Sequence, residues 1–164
     1  MNWTFKKTAL SKEKHDIPAD LGDLCWFDAA GLGLACAQPP EEALKQLQGS
    51  WTARTAESDG KAADAVVRHR LSFTGDRFRI RSKDGKLVYA GSVRVNASAN
   101  PASIDFEQTQ GPLTGKVWKG IYVLDGDTLK ICDNAPNLEA PRPVAFETKP
   151  GSGHILITFK RAKP

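Results

Sequence analysis

The chain has 164 residues, of which 40% are hydrophobic and 26% charged, with a net charge of +4. One domain of that size buries a core without disulfide staples, and these proportions exclude collagen-like, disulfide-dense and wholly disordered classes. Three cysteines, Cys25, Cys36 and Cys132, form no Cys-x-x-Cys, and His15, His69 and His154 lie far apart, so no metal or cofactor is expected.

Residues 1–38 read as an N-terminal extension ahead of a domain at 39–164. Lys6, Lys7, Lys12 and Lys14 precede an apolar stretch that ends Ala35-Cys36-Ala37, which has the outline of an export signal. Asp20, Asp23 and Asp28 spoil its apolar segment, so a cytoplasmic location is favoured over export through an atypical signal. Leu21, Leu24, Trp26, Phe27, Leu32 and Leu34 make residues 21–34 a candidate surface for a protein partner. No apolar run is long enough for a transmembrane helix, so no membrane span is expected.

Pro39-Pro40-Glu41-Glu42 opens a short helix, with proline and acids suited to its first turn. Ala43, Leu44 and Leu47 give it one apolar face, and Gly49 ends it. From there the period changes to two. Trp51, Ala53 and Thr55 alternate with polar residues. Val67, His69, Leu71 and Phe73 do the same, then Phe78 and Ile80. Leu87, Tyr89, Gly91, Val93 and Val95 follow, then Ile104 and Phe106. Residues 117–124 are apolar on both faces: Trp118 and Tyr122 share one register, Val117, Ile121 and Val123 the other. The set facing outward is expected to lie under the N-terminal helix or extension. Leu129 and Ile131, then Ile155, Ile157 and Phe159, complete the pattern.

Thr74-Gly75-Asp76, Lys83-Asp84-Gly85 and Asp125-Gly126-Asp127 mark tight hairpin turns. Asp133–Gly153 is a long connection with room for an extra strand at Val144–Thr148. The result is an all-β chain of about eight antiparallel strands, best closed into an up-and-down barrel, with a β-sandwich as the alternative.

An ordered set of residues then carries a resemblance. Leu47-Gln48-Gly49-Ser50-Trp51 opens the first strand, and Gly75-Asp76-Arg77-Phe78 follows at a hairpin. Ile104-Asp105-Phe106, Gly111-Pro112 and Gly115-Lys116 precede Gly120-Ile121-Tyr122-Val123-Leu124-Asp125-Gly126-Asp127. Arg142-Pro143, Phe146, Ser152-Gly153 and Lys160-Arg161 close the chain. This set resembles an uncharacterised lipocalin-like bacterial domain family, abundant in planctomycetes, over residues 44–161. The resemblance implies a lipocalin-like barrel in which Gly49 and Trp51 start the first strand and Arg161 packs over Trp51 to close one end, all three in structural roles.

No catalytic constellation is visible. Asp125-Gly126-Asp127 lacks the later acids of a calcium loop, and Pro150-Gly151-Ser152-Gly153-His154 matches no nucleophile or phosphate motif. Arg68, Arg70, Arg77, Arg79 and Arg81 lie in polar strand register with little aromatic interleaving, which argues against nucleic acid. The expected function is therefore a non-enzymatic binding module for a small apolar or amphipathic ligand. His69, Phe73, Phe78, Tyr89, Phe106 and Tyr122 are the candidate lining. The alternative is a protein–protein interaction domain of inhibitor or immunity type, with a filled barrel. A hollow of about 300 Å³ or more separates the two.

Overall fold

A computed structural model describes residues 40–163. The extension at 1–38, its candidate partner surface at 21–34, and Cys25 and Cys36 lie outside the described residues. Helix α1 spans Pro40–Leu47, with Glu41 and Glu42 in its first turn and Lys45 in its last. It buries Ala43 and Leu47. Gly49, at φ +103°, then turns the chain into the first strand, a conformation that favours glycine.

The strands are β1 Gly49–Ser58, β2 Lys61–Ala62, β3 Arg70–Thr74, β4 Arg77–Arg81, β5 Leu87–Asn96, β6 Ser103–Gln110, β7 Val117–Asp125, β8 Thr128–Asp133 and β9 Ile155–Arg161. From β3 to β9 each pairs antiparallel with the next, and β9 returns to pair with β1 from Trp51↔Arg161 to Ser58↔Ile155. That last ladder closes an eight-stranded antiparallel barrel and excludes the sandwich. The two-residue β2 only extends the far end of β1, through Glu57↔Ala62 and Ser58↔Lys61.

Hairpin turns join β3 to β4 and β7 to β8, at the Gly75 and Gly126 positions where the sequence places them. The inward register follows the expected alternation over most of the barrel: Trp51, Leu71, Phe73, Phe78, Val93 and Ile104 are all buried. Trp118 and Tyr122 are the inward set of β7 and belong to the core cluster, while Val117 and Val123 are exposed. Ile121 faces the other way and is nonetheless buried, opposite Cys132.

Among the described residues the cover on that outer face is the β8–β9 connection and not helix α1; the extension, the other expected cover, lies outside them. Cys132 Sγ donates to the carbonyl of Glu147 at 3.7 Å. Arg142 donates to the carbonyl of Gly120 at 2.6 Å and pairs with Asp105 at 2.7 Å, which ties the connection to β6 and β7.

Four local expectations are corrected. Val67 and His69 precede β3 and are not part of it: a 3₁₀ turn at Asp64–Val66 and a left-handed Arg68 (φ +72°) delay the strand to Arg70. His69 still lies against β1, because its carbonyl accepts from Ala53 N at 2.9 Å. Thr55 is exposed and Ala56 takes its inward place, because β1 shifts register against β9 between Ala53 and Thr55. Leu87 is exposed rather than inward. Val144–Thr148 forms no strand, and Val144 is 83% exposed.

The α1 end of the barrel is filled. Every carbonyl from Leu44 to Gln48, which a short helix would otherwise leave unpaired, has a donor. Gln48 Nε2 reaches the carbonyl of Leu44 at 2.9 Å and Gln48 N that of Lys45 at 3.3 Å. Trp51 Nε1 donates to the carbonyl of Leu47 at 2.8 Å. Arg161 supplies the carbonyls of Gln46 at 3.0 Å and Gln48 at 2.8 Å. The same guanidinium lies 4.1 Å from the centroid of the Trp51 ring, within cation–π range. Its positive charge also suits the negative end of the helix dipole.

Candidate functional site

The other half of the barrel is hollow. A cavity of about 310 Å³ lies toward the end of β1 remote from α1. Its walls are Leu71 of β3, Ile80 of β4, Phe106 of β6 and Trp118 of β7. From β9 come Ile155, Ile157 and Phe159, and from β8 come Ile131 and Asp133. Val66 and His69 enter from the segment before β3, and Ala135 and Pro136 from the start of the β8–β9 connection.

One irregularity widens the wall. β5 shifts register against β4, so that Ile80 pairs with Tyr89 and Arg81 with Leu87, leaving Val88 as the extra residue. Such a bulge breaks strict alternation, and Val88 and Tyr89 both line the cavity. The floor is aromatic. Tyr89 meets Trp118 edge-on at 4.8 Å between ring centroids, and Phe106 and Trp118 are 5.9 Å apart.

Of the six candidate lining residues, His69, Tyr89 and Phe106 line the cavity. Phe73, Phe78 and Tyr122 do not: they are buried in the core cluster behind it. Phe78 packs edge-on against Phe106 at 4.9 Å, and Phe73 stacks on it at 6.3 Å, so both support the floor without reaching the hollow. Tyr122 lies further toward α1, where burial pushes its phenol pKa up. Gly49, Trp51 and Arg161 lie together at the filled end, away from the cavity.

Asp133 is the charged lining residue that the sequence reading missed. It is 5% exposed. Leu129, Ile131 and Asp133 occupy one register, so continuing the alternation of β8 by two residues points to it. Oδ1 accepts from the backbone N–H of Ala135 at 2.9 Å. Oδ2 has no hydrogen-bond partner among the described residues. Burial pushes the carboxyl up to about pKa 7, partly opposed by the Ala135 bond. The opposite effect acts on His69: burial pushes its imidazole below the ordinary value, so it is mainly neutral at pH 7. Among the described residues the lining holds no Lys or Arg.

Among the described residues four fully buried side-chain atoms lack a hydrogen-bond partner, Ser82 Oγ, Asp105 Oδ1 (ion-paired with Arg142), Gln108 Oε1 and Trp118 Nε1, of which Trp118 belongs to the cavity lining. Among the described residues no group of three or more His, Cys, Asp or Glu side chains is placed to hold a metal ion. The cluster of Arg68, Arg70, Arg77, Arg79 and Arg81 is exposed on the outer face, far from this chemistry in orientation: its strand members alternate with the buried Leu71, Phe73 and Phe78.

The arrangement can enclose an apolar body of modest size within a lining that carries one carboxyl, one imidazole and one phenol. No family model, curated protein or solved structure matches the chain.

Proposed function

We propose that the protein is a non-enzymatic binding module that holds a small apolar or amphipathic molecule in the hollow half of its barrel. The cavity carries this reading. At about 310 Å³ it falls within the range of small-molecule sites, and its lining is mostly apolar with a few polar groups. A barrel filled from end to end would have favoured the interaction domain instead. The lipocalin-like kinship is part of the same proposal, supported by Gly49 and Trp51 at the start of β1 and by Arg161 over the Trp51 ring.

Native mass spectrometry on protein purified from its own host tests it. The expected result is added mass of a few hundred daltons, lost on denaturation. Ile157→Phe, which fills part of the cavity, should reduce the fraction carrying it. A bare mass, together with no uptake of any small apolar probe by the purified protein, would sink the proposal.

A further inference from the structure

Among the described residues the cavity lining has one acid and no Lys or Arg. Asp133 is 95% withdrawn from solvent, being 5% exposed, and it offers Oδ2 without a protein donor. A buried carboxylate is costly unless it is paired. Its strand neighbours supply no charge: Gly120 faces it from β7 and Ile155 from β9. The turn after β8 gives only the Ala135 N–H. His69 is the other titratable group of the lining besides Tyr89.

The aromatic part of the lining is chemically suited to the same partner. Tyr89, Trp118, Phe106 and Phe159 present aromatic surface, and aromatic faces attract organic cations, most strongly when water is excluded. Size sets a further limit. A dry cavity of about 150 Å³ holds a benzene ring, so about 310 Å³ takes one ring with a short tail.

We infer that the ligand is a small organic cation: a primary amine on an apolar or single-ring body, with its ammonium on Oδ2 of Asp133 and its body against the aromatic wall. This rests on the reading of the barrel as a binding module and names the ligand class for that site. An anion of the same size would meet Asp133 with no compensating cation in the lining. A neutral ligand would leave the carboxyl to keep its proton.

Three probes of one skeleton separate these cases: phenethylamine, 2-phenylethanol and phenylacetate, each titrated calorimetrically into the full chain at pH 8. The amine is expected to bind at least tenfold more tightly than the alcohol, and the acid least. Lowering the pH to 6 should weaken the amine several-fold, as Asp133 takes up its proton, and leave the alcohol unchanged. Asp133→Asn should erase the preference for the amine while still accepting the Ala135 hydrogen bond, with thermal unfolding as the check that it folds.

The wild-type comparison stands even if that variant fails to fold. Equal binding of amine and alcohol, or tightest binding of the acid, overturns the amine assignment and leaves the binding module intact. No binding by any of the three at millimolar concentration also overturns it, and a bare host-purified protein would then remove the binding module as well.

Discussion

The side chain of Gln48 pairs with the backbone of Gly75 as a strand would. Its Oε1 accepts from Gly75 N at 2.7 Å and its Nε2 donates to the Gly75 carbonyl at 2.9 Å. Gly75 is the β3–β4 turn, and Gln48 joins α1 to β1, so one amide fastens the helix end to a hairpin 27 residues away. The same Nε2 also reaches the Leu44 carbonyl.

Gln48→Ala should therefore lower stability by about 1–2 kcal/mol, the net worth of two or three part-exposed hydrogen bonds. Gln48→Glu keeps the acceptor for Gly75 N and loses the donor, so its midpoint in urea should fall between the two. Equal midpoints for Ala and wild type would show that the clamp contributes nothing.

Arg161 performs three tasks at the filled end: it covers Trp51, supplies two helix carbonyls, and pairs with Asp127 at 3.2 Å. The Asp127 partner is largely exposed, so that ion pair adds little. The first two tasks dominate, and Arg161→Ala should cost about 2–4 kcal/mol. Arg161→Lys retains the charge but not the planar fork, and should recover less than half of that. Asp127→Ala should be nearly silent. Urea unfolding of the three variants orders these contributions.

Gly91 lies against the β6 backbone at Glu107 with no room for a side chain. A Cβ there would stand 1.8 Å from the carbonyl oxygen of Glu107 and 2.8 Å from its carbon, both backbone atoms. The strands must part to admit it, so Gly91→Ala should cost more than about 3 kcal/mol or prevent soluble expression. Gly85→Ala serves as the contrast. Its Cβ would meet nothing within 4 Å, and the cost there is the backbone strain of φ +81°, about 1 kcal/mol. Similar losses at the two positions would refute the steric account.

Asp133 makes stability depend on pH in a definite direction. The folded chain keeps its proton up to about pH 7, whereas a carboxyl in water, as in the unfolded chain, releases it near 3.8. Its contribution is complete below pH 3.8, declines as pH rises toward 7, and is lost above that. Asp133→Asn should flatten this slope and leave the variant more stable than wild type at pH 8, by about 2–4 kcal/mol. Chemical denaturation at pH 5 and pH 8 measures it. A wild-type chain equally stable at both, after the same comparison in the Asn variant, would contradict the buried acid.

The barrel was legible because alternation is the direct imprint of a two-faced sheet, and because Gly75 and Gly126 sit at the hairpin turns. Trp51 and Arg161 were legible as a pair only through the resemblance, which implies an Arg at the end of the last strand packed over that Trp. The cavity was only half legible. Periodicity gives the inward face and says nothing of position along the barrel axis, so Phe73, Phe78 and Tyr122 could not be told from Tyr89 and Phe106. Val88 was hidden by a bulge, which breaks the very period being read. Asp133 was hidden by its charge, since an acid after Ile131 looks like the first residue of a loop.

The interactions that hold the fold and the residues that face the hollow lie at opposite ends of the same barrel. Arg161, Gln48 and Trp51 secure the structure around α1. Ile80, Val88 and Ile157 shape the hollow and carry none of those bonds. Exchanges of one apolar residue for another at those three positions should alter which molecules fit while sparing the scaffold. On the proposed binding function, a chain built in this way can acquire new ligand preferences by single substitutions, each tested by selection without first endangering the barrel.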